Sequence, residues 1–294
     1  MGEARKALLA DRGVISVAGD DAETFLQGLI TGDMALLSAQ PAIHAALLTP
    51  QGKILFEFFV AKAGGRFILE TGRDQTAGLI KRLALYKLRA KIDIRDASSE
   101  HAVFAIWGGG SEPARGPEPA IAYLDPRLSA LGLRVVAQAS AAGTAVAVGA
   151  RNAGLEDYDA HRIALGVPEA GKDYVLNDTF PHEANFDLLN GVSFGKGCFV
   201  GQEVVSRMQH RGTARKRIVI IEGQGPLQPG SEVRAGEANI GITGSAAGTY
   251  ALALLRLDRV DEAEAKGQPI TAGGMTITVR RPAYMPDAAK APAQ

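Results

Sequence analysis

A chain of 294 residues, 46% hydrophobic and 22% charged, is long enough for two or three cores, which excludes wholesale disorder. Its 32 acidic and 32 basic residues cancel, so no global electrostatic pull toward nucleic acid or membrane is expected. A single cysteine excludes an internal disulfide and a four-cysteine metal site, and the five histidines show no metal-ligand spacing. No apolar run approaches a membrane span of about 20 residues. With no signal-peptide pattern over the first ten residues, and with Asp11 and Asp20 following, the chain reads as soluble, cytoplasmic and free of the membrane.

In chain order, residues 13–17 are predicted as a strand. Asp20 and Asp21 offer N-caps to a helix carrying Phe25, Leu26, Leu29 and Ile30, ending near Gly32. Residues 43–49 and 54–60 flank the turn Thr49-Pro50-Gln51-Gly52-Lys53, a hairpin signal. A strand at 67–70 precedes a helix capped by Asp74 and carrying Leu79, Ile80, Leu83 and Tyr86; strands at 91–94 and 101–107 follow. The stretch 108–117 reads as a plain connector rather than a phosphate cradle, because no Gly-Lys-Ser/Thr follows its glycines. Residues 139–153 are rich in small residues and featureless, and 157–165 reads as a helix ended by Gly166 and Pro168. From Arg217 onward, short strands at 218–222, 240–245, 250–257 and 275–279 alternate with Gly/Pro turns, the texture of a small β-barrel or sandwich. The fold class is α+β. The expected division is 1–210 (two subdomains parting near 95–120), a barrel over 211–285, and a disordered tail over 286–294.

The stretch with the most chemistry is Lys196-Gly197-Cys198-Phe199-Val200-Gly201-Gln202-Glu203. Its glycines allow a ligand or a second backbone to come close. Residues 202–208 read as a helix, which sets Cys198 near a positive N-terminal end with Lys196 beside it, the surroundings of an exposed, reactive thiol. A free cysteine is as often a small buried hydrophobe, and position alone leaves the two readings level. The basic run Arg207, His210, Arg211, Arg215, Lys216 and Arg217 lacks interleaved aromatics and reads as a solvated linker ahead of a phosphate-binding surface.

The pattern Gly191-Val192-Ser193-Phe194-x-Lys196-Gly197-Cys198-Phe199-x-Gly201-Gln202-Glu203 resembles the signature of the YgfZ-type folate-binding proteins. Their mitochondrial relatives act in iron–sulfur protein maturation, and they are distant cousins of the glycine-cleavage T-protein, an aminomethyltransferase. Supporting matches are Phe25-Leu26-Gln27-x-x-x-Thr31-x-Asp33, Leu48-Thr49-Pro50-Gln51-Gly52-Lys53, Tyr86-Lys87-Leu88-Arg89 and Pro181-x-Glu183-x-Asn185-x-Asp187. The resemblance implies pseudo-symmetric α/β domains around a channel for tetrahydrofolate or a one-carbon derivative, plus a C-terminal β-barrel. It carries the pterin-holding carboxylate onto Glu183, whose oxygens suit the 2-amino group and adjacent N–H of a pterin. The alternative for Glu183 is a carboxylate capping its own turn. Asn185 would read the same ring, although asparagine is common in turns for backbone reasons. Arg162 matches an arginine of the relatives and would order this loop, the alternative being a solvated helix face. Where the T-protein carries an Asp-Asp pair, this chain offers Phe56 and Glu57, so aminomethyl transfer is not expected.

The implied function is tetrahydrofolate binding in support of the assembly or repair of iron–sulfur clusters in client enzymes, tRNA-modifying ones included, with Cys198 carrying the essential step. Its partners would be folate and iron–sulfur clients or assembly factors, with no membrane and no direct nucleic acid. The rivals are a folate-dependent one-carbon transferase, and an RNA-binding or adaptor protein with folate as structural ligand. Whether Cys198 ligates a cluster, forms a mixed disulfide or attacks a substrate stays open.

Overall fold

The computed structural model describes residues 3–109, 121–141, 150–211 and 214–286. Most of the connector at 108–117, the centre of 139–153 and the tail from 287 lie outside the described residues. The first part contains β1 (Arg5–Leu8), β2 (Arg12–Ala18), α1 (Ala22–Gln27), β3 (Ala42–Leu48), β4 (Ile54–Ala63), β5 (Arg66–Gly72) and α2 (Thr76–Lys87). Then come β6 (Asp93–Asp96), β7 (His101–Trp107), β8 (Ile121–Leu124), β9 (Leu133–Gln138), β10 (Arg151–Asn152) and α3 (Leu155–Ala164). A long irregular segment leads to α4 (Gln202–Arg211). The last part holds β11 (Lys216–Gly223), β12 (Glu232–Ala235), β13 (Ala238–Ala247), β14 (Tyr250–Arg256), α5 (Leu257–Ala265), β15 (Ile270–Ala272) and β16 (Met275–Arg280).

The strands form two five-stranded sheets, ordered β3-β4-β5-β2-β6 and β10-β1-β7-β9-β8, and a closed barrel, β11-β14-β13-β12-β15-β16. Alternation within each strand decides which core it feeds. On the first sheet Ile15, Val17, Phe58 and Val60 face α1 and α2, whereas Val14, Phe59 and Ile68 face Val103, Trp107 and Val136 of the second sheet. On β11, Val219 and Ile221 fill the barrel, while Ile218 and Ile220 pack outward on Leu48, Ile54, Phe186 and Phe199. That outer core joins barrel, first sheet and irregular segment, and it carries the site.

Three local expectations are corrected. Helix α1 ends at Gln27 with Gly28 as its cap, short of Gly32, because the next residues leave to pair with the sheet: Ile30 bridges Leu47 and the Thr31 amide donates to Ala46 O at 2.9 Å. Asp21 stands at the N-cap position of α1, but its side chain makes no capping bond; its carboxylate accepts from the Lys91 amide at 2.7 Å instead. Asp74 sits in a short turn before α2, whose cap position is Gln75 without a side-chain bond. The barrel also has members absent from the sequence reading: the short strands β12 and β15, and α5, which begins where strand 250–257 was expected to finish.

Candidate functional site

The segment between α3 and α4 makes no helix and no named strand, so its backbone groups are paired one by one. The motif around Cys198 is fastened to the loop carrying Thr31 and Asp33. The Ser193 amide donates to Thr31 O at 2.9 Å. The Thr31 hydroxyl donates to Gly191 O at 2.6 Å while accepting from the Ala46 amide at 2.8 Å. Lys196 turns inward and donates to Ile30 O at 2.8 Å and Gly32 O at 2.7 Å. Burial lowers its ammonium to about 8, partly opposed by Asp33. Its charge serves these carbonyls, a different role from the thiol neighbour expected from sequence. Val192 and Phe199 are buried in the outer core. Gly201, at φ +80°, lies so close to the hairpin that a Cβ would stand 2.6 Å from Thr49 O, so no other residue fits there. Gly195 and Gly197 border open space, and Phe194 and Cys198 are exposed. Anchors on both sides thus present one thiol to solvent, two residues before the turn where the Gln202 amide meets Phe199 O at 3.2 Å and α4 begins.

Glu183 and Asn185 lie on the preceding turns. Glu183 is half-buried, and its Oε2 accepts from the Phe180 amide at 3.0 Å, the turn-capping role. Asn185 is fully buried at φ +60°, a conformation asparagine tolerates. Its Nδ2 donates to Ile218 O at 2.8 Å and to the Tyr284 hydroxyl at 3.1 Å, which leaves Oδ1 buried with no partner among the described residues. Nδ1 of neighbouring His182 is orphaned likewise, while its Nε2 meets Gln209 of α4 at 2.9 Å. Arg162 is buried, not solvated. It donates to Asp159, to Asp173 at 2.6 Å, to Val167 O and to Ser245 of the barrel, ordering the loop from within rather than facing a ligand. Arg217, of the basic run, is paired with Asp187.

Phe56 packs on the helix side of the first sheet, with Gly78 of α2 against its ring. Glu57 points the other way and is enclosed: His44 Nε2 lies 3.0 Å from Oε1, while the Tyr174 hydroxyl and the Ala170 amide donate to Oε2 at 2.7 and 2.9 Å. Burial alone would raise this carboxyl, but His44, Arg127 and Tyr174 hold it down at about 2. A cavity of about 360 Å³ reaches its partner His44 but not Glu57 itself; Asp33, Ile43, Asn190, Val192 and Ser193 also line it, and its volume is within the size range of small-molecule sites. Neither Glu183 nor Arg162 is in that lining.

Asp125 and Arg127, on either side of Pro126 of that lining, belong to a buried charge network that sequence reasoning missed. Arg134 pairs with Glu70 and Asp125, Arg127 with Asp125, and Arg12 with Glu70 and Glu169. The guanidinium carbons of Arg134, Arg127 and Arg12 lie 4.5, 4.9 and 5.9 Å from the centre of the Phe59 ring. Burial favours the neutral acids, yet the arginines hold Asp125 and Glu169 below the ordinary carboxylate range. Because folded values lie below unfolded ones, the stability from Glu57, Asp125 and Glu169 is complete above about pH 4.5 and lost as pH falls through the folded values. Circular dichroism melts should therefore hold near neutrality and drop by roughly 10 °C or more between pH 5 and 3. A transition that does not move over that range would contradict the pairing. Among the described residues, no three His, Cys, Asp or Glu side chains converge to hold a metal ion.

Residues 215–287 match the family described as CAF17, C-terminal beta-barrel domain. The chain is 34% identical over 229 residues to the IBA57 homolog of Mycosarcoma maydis, an iron–sulfur cluster assembly factor labelled mitochondrial; the match covers 72% of this chain but only 56% of that protein. Aminomethyltransferase T of the glycine cleavage system from Bartonella henselae superposes with a TM-score of 0.76 at 17% identity, over 97% of this chain and 87% of that one, a likeness of fold. Human mitochondrial iron–sulfur cluster assembly factor IBA57 is 33% identical over 274 residues, spanning 80% of this chain and 75% of that protein. One residue in three shared over most of both chains shows that this protein belongs to the IBA57 family of iron–sulfur cluster assembly factors.

Proposed function

We propose that this protein supports the assembly or repair of iron–sulfur clusters in client enzymes, tRNA-modifying ones among them, and that it binds tetrahydrofolate or a one-carbon derivative while doing so. The observation that carries the reading is the presentation of Cys198. The only thiol of the chain stands exposed on a loop whose neighbours on both sides are buried or bonded. A packing cysteine needs no such scaffold. A thiol that must meet a client or another assembly factor does. The relatives' names support the iron–sulfur setting. A cytoplasmic location is part of the proposal, tested by cell fractionation.

The folate reading is supported by the fold and by the YgfZ-type resemblance, and the donor set can be tested against the ligand. A pterin edge offers N–H donors. Asn185 Oδ1 is a buried acceptor without a partner among the described residues, two residues beyond the half-buried carboxylate of Glu183. Those acceptors fit a pterin, so Glu183 and Asn185 would hold it, with Ile218 O and Tyr284 fixing the Asn185 amide. Bound tetrahydrofolate would supply a one-carbon carrier. Arg162 acts at a distance, by ordering the loop between α3 and Asp173. Glu57 is locked among His44, Tyr174 and Ala170, and Phe56 faces α2, so neither takes the place of an aminomethyl-transfer carboxylate. Calorimetric titration with tetrahydrofolate should show Glu183→Ala binding about ten- to a hundredfold more weakly, from leaving pterin donors unpaired at about 1–3 kcal/mol. Equal affinity in the variant would remove the ligand from Glu183.

A further inference from the structure

The far end of α2 carries a charge and conformation anomaly unrelated to the cysteine loop. From residue 81 to 91 the chain has five cations, Lys81, Arg82, Lys87, Arg89 and Lys91, and no acid, in a protein whose net charge is zero. Among the described residues none of the five is ion-paired. The adjacent Asp21 is turned onto the Lys91 backbone amide. Within this patch Leu85 is 64% exposed and Leu88 89% exposed, whereas Tyr86 and Ala90 pack inward on the first core.

Leu88 is also strained. It has φ +43° and ψ −108°, and the Ala90 amide donates to Lys87 O at 2.8 Å, closing a four-residue turn with Leu88 at its first central position. Those angles are of the type II′ kind, where glycine is the usual occupant and a bulky side chain is disfavoured. Leu88 is 89% exposed, so no packing among the described residues offsets the cost. A strained, exposed, apolar residue ringed by unpaired cations is placed for something outside the molecule.

We propose that this end of α2 docks an acidic protein surface with an apolar centre, Leu85 and Leu88 entering the centre and the surrounding cations meeting its carboxylates. Apolar anchors within a charged rim are the anatomy of a protein interface. A nucleic acid would meet the cations but leave both leucines unused, and no exposed aromatic is present there to stack on a base. Two leucines on one turn offer too little apolar area for a lipid-inserting face. The proposal does not depend on the iron–sulfur reading.

The test uses the full chain with a photo-reactive phenylalanine analogue at position 85, irradiated in cells and mapped by mass spectrometry. The expected result is a cross-link to one protein, through a segment combining carboxylates and apolar side chains. That purified protein should bind the wild type less tightly as salt rises, and Leu88→Gly and Arg89→Glu should each weaken it by about tenfold or more. Leu88→Gly separates this role from a structural one, because glycine relaxes the turn: its melting temperature should hold or rise while binding falls. Cross-links lost on ribonuclease treatment, cross-links to lipid alone, or a basic contact segment would overturn the proposal. So would no cross-link, binding unchanged in both variants, or a lowered melting temperature in Leu88→Gly.

Discussion

Cys198→Ala is expected to fold and melt like the wild type yet fail to restore iron–sulfur enzyme activities in a strain lacking the gene. The thermal half rests on exposure: Cys198 borders solvent, and the residues that hold its loop are Val192, Lys196, Phe199 and Gly201. Removing one exposed sulfur leaves those anchors intact, and exposed substitutions usually stay within about 0.5 kcal/mol. The functional half rests on there being no second cysteine to take its place. Two enzyme activities should be followed in the complemented strain, one dependent on an iron–sulfur cluster and one not. Full rescue by Cys198→Ala would return the loop to a packing role. Lys196→Met makes the contrasting control. It strips two buried carbonyls, Ile30 O and Gly32 O, of their donor, and should lower both the melting temperature and the rescue.

Much of this site was legible as spacing, little of it as role. The turn at Gly52 and the helix from Gln202 follow from local chemistry that the residues carry with them, and they stand where the pattern put them; the cysteine, whose position alone left exposed and buried readings level, is exposed. Roles are decided by distant partners. Lys196, two residues from the thiol in sequence, is drawn 166 residues away in number to Ile30 O. Arg162 reads as one more polar position on a helix, yet the barrel residue Ser245 closes over it. Helix α1 looked longer than it is because Leu29 and Ile30 keep a helical apolar rhythm, although Ile30 and Thr31 pair with β3. The charge network had a faint signal: Glu57, Glu70 and Arg134 interrupt otherwise apolar strands, and a charge on a two-faced buried strand must find a partner.

Arg134→Ala is expected to cost about 3–5 kcal/mol of stability, the largest loss of any single substitution considered, because it removes one partner from two buried carboxylates at once. Arg134 is 1% exposed; it pairs with Glu70, donates to Asp125 at 2.9 Å and to the Tyr158 hydroxyl at 3.1 Å, and lies over Phe59. Arg134 stands on β9 of the second sheet, while Glu70 and Phe59 belong to the first sheet and Tyr158 to α3, so the arginine fastens these layers together. Arg134→Lys should recover less than half of the loss, since an ammonium cannot reproduce the planar fork reaching Glu70 and Asp125 together. Replacing the pair outright, as Arg134→Met with Glu70→Met, should not restore stability, although hydrophobic replacement of an isolated buried pair often does. Glu70 also holds Arg12 and the Tyr123 hydroxyl, and Asp125 would still face Arg127 alone. Denaturant titration of the two single variants and the double variant gives the coupling directly, expected at about 1.5 kcal/mol or more for groups in one network. A loss within about 1 kcal/mol for Arg134→Ala, the scale of exposed ion pairs, would mean that water already reaches the network and that the layers are held by their apolar cores alone.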